Sequence, residues 1–166
     1  MNMNQLTQRS LAALQGAQDI AREYGNQQIE QPHLLLALVG DREGFIPQLL
    51  TAMGMTVPSF EAAVKAEVEK LPKVTVSGRE ADKVYVSQDV DRALKAAEQE
   101  AQAMKDEYIS VEHLFLGLLA HPNSALKELF RAYNVTKESV MQALATVRGN
   151  QRVTSDNPEE TYNALK

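Results

Sequence analysis

The chain has 166 residues, with 17 basic and 22 acidic side chains and a formal net charge of −5. This length suits one domain or two small intertwined units, and the acidic balance argues against a surface that neutralises nucleic-acid phosphates. No apolar run approaches the roughly 20 residues needed to cross a bilayer, and the polar N-terminus does not resemble a secretory signal. We therefore expect no nucleic-acid or membrane partner and a cytoplasmic location. The absence of cysteine excludes disulfides and thiolate chemistry.

An internal duplication organises the chain. When the sequence is shifted by 80 positions, its two halves align without a gap, so that His33-Leu34 matches His113-Leu114. We predict a tandem pseudo-twofold repeat, with repeat one over about residues 5–70, a linker over 71–86 and repeat two over about 87–148. Other identical pairs are Ala13/Ala93, Ala17/Ala97, Ala21/Ala101, Ile29/Ile109, Leu49/Leu129, Thr56/Thr136 and Ser59/Ser139.

Each repeat predicts four helices, which makes the fold all-α. In repeat one, a helix follows the N-cap residue Thr7 and a second runs from Gln31 to Val39. A third helix ends at Gly54, and a fourth begins after Thr56.

The linker over 71–86 contains Pro72, Gly78 and alternating valines, which indicates an irregular segment with short extended pieces. Repeat two then begins after the N-cap residue Ser87, with apolar residues at helical spacing. Its second helix, Val111 to Ala120, follows Ser110 and is apolar nearly all round, which predicts a central, buried position.

The C-terminal part of the chain contains the last two predicted helices of repeat two and then a polar segment. The third helix of repeat two ends at Asn134, and the fourth begins after Thr136. The polar composition over 149–166 predicts a flexible tether, and its abrupt end suggests a fragment of a longer protein.

We find no constellation of catalytic residues. The eight glycines form no phosphate-binding loop, and the sequence contains no GxSxG elbow. Metal binding would depend on three histidines, and His33 and His113 are expected to make local hydrogen bonds near helix N-termini. We therefore expect no catalytic, cofactor or metal site and no enzymatic activity in this chain. The alternative of a metal-dependent hydrolase would be exposed by metal analysis.

The repeat motifs HLLLAL and EHLFLGLL resemble those of the Clp N-terminal domain, which precedes the ATPase rings of Clp-type unfoldases. Three connecting segments are similar to the linker and tether of the ClpB type. They are KLPKV at 70–74, VSQDV at 86–90 and VRGN at 147–150, the last followed by EETYNALK at 159–166. The resemblance covers essentially the whole chain.

This resemblance implies a substrate-binding domain, residues 1–148, of an ATP-dependent protein disaggregase that acts in stress recovery. The domain would engage exposed apolar segments of unfolded or aggregated polypeptides. The parent protein would be an AAA+ ATPase that uses ATP and Mg in domains absent here, forms a homohexamer and works with the DnaK chaperone system. The fragment itself would be a monomer. An alternative is the adaptor-docking domain of a ClpC- or ClpA-type unfoldase that feeds a protease.

The resemblance also implies a set of substrate-binding residues. Polar family positions fall on Thr7, Asp106 and Glu112, each of which also has a purely structural interpretation as a helix cap, a loop carboxylate or a first-turn acid. Apolar family positions fall on Ala96, Glu100 and His113. Because Ala96 is small and Glu100 is charged, we expect a shallower and more polar groove than the family pattern has.

Overall fold

The computed structural model describes residues 3–74, 84–149 and 153–159. Over these ranges the chain forms eight α-helices, four in each repeat, as the sequence predicts. Two short strands, β1 (Gln28–Ile29) and β2 (Tyr85–Val86), form a parallel ladder. The helices are α1 (Gln8–Glu23), α2 (Gln31–Gly40), α3 (Phe45–Ala52), α4 (Val57–Glu69), α5 (Gln88–Ala103), α6 (Val111–Ala120), α7 (Ser124–Ala132) and α8 (Lys137–Val147).

Most of the predicted helix ends are confirmed. The Thr7 hydroxyl accepts a hydrogen bond from the Ser10 amide at 3.1 Å, and Ser87 accepts one from Val90 at 3.2 Å. Gly54 and Asn134 adopt left-handed conformations, with φ of 81° and 58°. Thr56 occupies the N-cap position of α4, as predicted, but among the described residues its side chain makes no capping hydrogen bond.

The two repeats are intertwined by reciprocal backbone pairing. The Ser87 amide donates to the Ile29 carbonyl at 3.1 Å, and the equivalent Thr7 amide donates to the Ile109 carbonyl at 3.1 Å. The segment before each repeat's first helix therefore lies beside the loop before the other repeat's second helix. This pairing brings the N-terminus of α1 next to that of α6. It also shows that the linker ends in an extended piece, β2, whereas Gly78 lies outside the described residues.

The second helix of each repeat is central, as its apolar sequence predicts. Leu34 and Leu35 on α2, and Leu114 and Phe115 on α6, have side chains at most 1% exposed. A shared hydrophobic core surrounds these helices and includes residues of both repeats.

The repeats differ in how closely their first two helices approach each other. Gly117 on α6 lies against the backbone of α5, and an added Cβ there would be 2.2 Å from the Ala93 carbonyl oxygen. Ala37 on α2 occupies the equivalent position in repeat one and already carries a Cβ. Because of this methyl group, α2 cannot approach α1 as closely as α6 approaches α5. A groove remains open in repeat one.

Candidate functional site

The groove of repeat one lies between α1 and the helices α2, α3 and α4, and has a volume of about 720 Å³. Apolar side chains form its floor, including Ala13, Ala37 and Phe45. Five charged side chains border the groove: Arg9, Glu23, Asp41, Glu61 and Lys65. An apolar floor with a mixed, slightly acidic rim is suited to an apolar polypeptide segment.

The duplication relates this groove to the predicted apolar positions. Gly16 and Ile20, which line the groove, are the repeat-one equivalents of Ala96 and Glu100. In repeat two, Ala96 is buried, and Glu100 pairs with the ammonium group of Lys137 at 2.9 Å. Ala96 and Glu100 therefore lie on the helix face that lines the groove in repeat one, but in the repeat where the first two helices are in closer contact. The contrast between Gly117 and Ala37 is the signal that could have distinguished the repeats.

The four remaining predicted residues come together in the interior. Thr7, Glu112 and His113 are fully buried, and Asp106 is 9% exposed. They lie where the N-termini of α1 and α6 meet. None of them presents a side chain on the surface of the groove.

His113, Asp106 and Arg148 form a buried network, in which His113 hydrogen-bonds Asp106 and Arg148 pairs with its carboxylate. Nδ1 of His113 accepts a hydrogen bond from the Ser110 amide at 2.9 Å, so its Nε2 donates to the Asp106 carboxylate at 2.7 Å. The Arg148 guanidinium contacts Asp106 and also donates to Glu112 at 3.3 Å. Burial would raise the pKa of Asp106, but hydrogen bonds from His113 and Arg148 outweigh it and hold the pKa below the ordinary value of 3.8.

The equivalent site in repeat one lacks the Asp106–Arg148 ion pair, because Asn26 and Val68 occupy these positions. Nδ1 of His33 accepts from the Glu30 amide at 2.8 Å, and its Nε2 donates to the Asn26 side-chain oxygen at 2.8 Å. Burial lowers the pKa of His33 from 6.5 to about 4. The expectation of local hydrogen bonds for both histidines is therefore confirmed.

Residues 153–159 pack over the charged site, which differs from the flexible tether predicted for 149–166. Val153 is fully buried, and its amide donates to Asp106 at 3.0 Å. Glu159 is 4% exposed and accepts hydrogen bonds from the Thr7 hydroxyl at 2.8 Å and the Val111 amide at 3.2 Å. A polar composition resembles a tether in sequence, but here the polar groups have specific partners far away along the chain. Because these contacts join residues far apart in sequence, the sequence analysis did not predict that Arg148, Val153 and Glu159 belong to this site.

Over the part of the chain that the structure describes, no group of three or more histidine, aspartate or glutamate side chains is arranged to hold a metal ion. Within the same ranges, no helix has both the length and the apolar character of a membrane span.

Comparison with known proteins identifies the family. A model described as the Clp repeat (R) N-terminal domain matches residues 5–133. The chain belongs to this Clp N-terminal domain family. It is 37% identical to the chaperone protein ClpB of Bacillus cereus over 166 residues, and 40% identical to that of Nitratidesulfovibrio vulgaris over 167 residues. Both alignments cover 100% of this chain but only 19% of the relative.

Solved Clp N-domains share this fold. The Hsp104 N-terminal domain from Candida albicans superimposes with a TM-score of 0.79, covering 93% of this chain and 98% of that one, at 21% identity. The ClpV N-domain in a complex with a VipB peptide gives a TM-score of 0.67 and covers 94% of this chain and 91% of that one, at 17% identity.

Proposed function

We propose that this chain is the N-terminal domain of a ClpB-type disaggregase and that it binds exposed apolar segments of unfolded or aggregated polypeptides. The open, apolar groove of repeat one carries the proposal, in a chain that matches ClpB relatives over its whole length. The solved complex of a ClpV N-domain with a VipB peptide shows that another domain of this fold binds a peptide. The ClpB relatives favour this function over adaptor docking in a ClpC- or ClpA-type unfoldase.

The parent protein, on this proposal, is a cytoplasmic AAA+ ATPase of the stress response. It would bind ATP and Mg in domains that lie outside this chain, assemble as a homohexamer and cooperate with the DnaK system. The isolated chain would be monomeric and would not hydrolyse ATP, because its sequence has no phosphate-binding loop.

We further propose that Thr7, Asp106, Glu112 and His113 influence substrate binding by positioning α1. Thr7 caps this helix, and Gly16 and Ile20 in its later turns line the groove. The buried network fixes the N-terminus of α1 against α6. A substitution in the network would therefore move the groove wall formed by α1, although the substituted residue would not contact the bound polypeptide.

Binding should be weak, in the micromolar range or poorer, which corresponds to about −8 kcal/mol at best. A groove of about 720 Å³ contacts only a short segment, and ordering a flexible ligand costs free energy. Raising the salt concentration should weaken binding only partly, because screening leaves the apolar contribution intact.

The test is an NMR titration of the 166-residue chain with a permanently unfolded, reduced and carboxymethylated protein. We compare wild type with Ile20→Glu, which places a charge in the groove, and with Gln15→Glu. Gln15 is an exposed α1 residue that does not line the groove, so the control adds the same charge to the same helix. We expect at least about tenfold weaker binding for Ile20→Glu, since a desolvated charge costs more than 1.4 kcal/mol. The control should bind as wild type does.

Absence of binding by wild type would contradict the function itself. Unchanged binding by a folded Ile20→Glu variant would instead contradict the choice of groove. Circular dichroism and the thermal midpoint establish that each variant is folded.

A further inference from the structure

Residues 153–159 make specific contacts with both repeat-two and α1 residues. The Gln8 amide donates to the Asp156 carbonyl at 2.7 Å, and the Glu107 amide donates to the Val153 carbonyl at 2.7 Å. Glu159 then bridges the N-termini of α1 and α6 through the Thr7 hydroxyl and the Val111 amide. The segment is thus held at both ends, by backbone pairing and by a buried carboxyl group.

Repeat one provides an internal comparison for this arrangement. After α4, the chain also returns to the loop between the first two helices, where the Val74 amide donates to the Gly25 carbonyl at 2.8 Å. The Asn26 side chain donates to the Pro72 carbonyl at 2.9 Å. These contacts involve only neutral groups.

The charged residues are specific to repeat two. At the positions of Asp106, Glu112 and Arg148, repeat one has Asn26, Pro32 and Val68. Because repeat one forms the same four helices without these charges, the fold does not require them. Buried charges are costly to desolvate, so their presence needs another explanation.

We propose that the polar surface formed by Thr7, Asp106, Glu112 and Arg148 is a receptor for the chain's own residues 153–159, which dock on it and detach as a latch. The docked latch fixes the domain relative to the residues that follow. Detachment uncovers the polar residues at the N-termini of α1 and α6 and lets the domain reorient. This inference does not depend on the proposed polypeptide-binding function.

The buried carboxyl group of Glu159 makes docking sensitive to pH. Burial, followed by repulsion from Glu112, raises the pKa of Glu159 from 4.5 to about 7. Its Oε2 accepts both hydrogen bonds, and its buried Oε1 has no hydrogen-bond partner among the described residues and can carry the proton. The charged or titratable groups on the elements packed against this pocket are Glu112 and His113 of α6, Asp106 after α5, and Arg148 after α8.

The direction of the pH effect follows from these values. The docked state keeps the proton of Glu159 to a higher pH than the detached state does, so docking is strongest below pH 4.5. It weakens by up to about tenfold per pH unit as the pH rises towards 7, and then levels off. At neutral pH the latch is therefore in its weakened state.

Amide hydrogen exchange on the 166-residue chain tests this proposal. The latch protects the amides of Gln8 and Glu107 from exchange. The matched control is the Val74 amide, whose hydrogen bond in repeat one involves only neutral groups. We expect the protection factors of Gln8 and Glu107 to fall by about tenfold per unit between pH 5 and 7, while that of Val74 stays constant.

Two variants assign the effect. Glu159→Gln keeps an oxygen acceptor but cannot ionise, so its protection factors should not change with pH. A chain that ends at Gly149 should lose the protection of Gln8 and Glu107 but keep that of Leu116 in the core. The proposal is overturned if the shortened chain still protects Gln8 and Glu107, if both amides exchange only together with Leu116, or if Glu159→Gln retains the wild-type pH dependence.

Discussion

Gly117→Ala should destabilise the domain, although alanine is the better helix former. The added methyl group would lie 2.2 Å from the Ala93 carbonyl oxygen, 2.9 Å from the Ala97 amide nitrogen and 3.1 Å from the Ala97 Cβ. Two of these atoms belong to the backbone of α5 and cannot move by a rotamer change. The clash can be relieved only by moving α5 away from α6. Both helices are packed in the hydrophobic core, so this movement is costly.

The magnitude follows from two opposing contributions. Overpacking a core costs about 1–3 kcal/mol, and a clash with backbone atoms belongs at the upper end of that range. Alanine recovers about 1 kcal/mol of helix propensity relative to glycine. The net loss in the free energy of unfolding should be about 2 kcal/mol, or a thermal midpoint lower by roughly 4–8 °C for a chain of this size.

Gly16→Ala on α1 is the matched control. Its added Cβ would lie 3.5 Å from the Ala37 Cβ, which is an ordinary van der Waals contact. This variant should be neutral or more stable by up to about 1 kcal/mol, because only the propensity gain applies. Urea unfolding followed by circular dichroism measures both variants. If the Gly117 variant were as stable as wild type, the close contact of α5 and α6 would not be the reason for glycine at this position.

Two further predictions concern the buried polar groups. Arg148→Met should lower the free energy of unfolding at pH 7 by about 3 kcal/mol, because the buried carboxylates of Asp106 and Glu112 lose their cation. In wild type, the contribution of Asp106 to stability is present above pH 3.8 and is lost at lower pH. Urea unfolding should therefore show a smaller stability difference between wild type and Arg148→Met in acid. Equal stability of the two proteins at pH 7 would contradict the network's role. His33 is neutral when folded, so its contribution to stability should be fully present above pH 6.5 and should fall by roughly 3 kcal/mol as the pH approaches 4. An NMR titration of its ring protons with a midpoint near 6.5 would contradict this.

Local chemistry explains which features were predictable from sequence. Thr7 and Ser87 cap their helices through hydrogen bonds to residues three positions away, and Gly54 and Asn134 end helices by their own backbone conformation. Such features depend on a few neighbouring residues, so spacing and residue type are sufficient to find them. Thr56 occupies the predicted N-cap position but shows that a suitable residue at a helix start does not always use its hydroxyl group.

Long-range features were not predictable in the same way. Ser87 pairs with Ile29, and Arg148 pairs with Asp106, across separations for which composition and periodicity give no information. The packing of Glu159 against Thr7 was missed because a polar, proline-containing segment has the composition of a tether, whether or not its groups find partners.

The duplication allows the requirements of the fold to be separated from those of function within one chain. Features present in both repeats, such as the capped first helices and the histidine bonded at the start of the second helix, are what four packed helices need. The repeats differ at Ala37 and Gly117, and this difference leaves a groove open in one repeat and closes it in the other. They differ again at Asn26 and Asp106, where a neutral contact is replaced by a charged one. Since the common fold explains neither difference, the groove and the proposed receptor are the places where we expect substitutions to alter function.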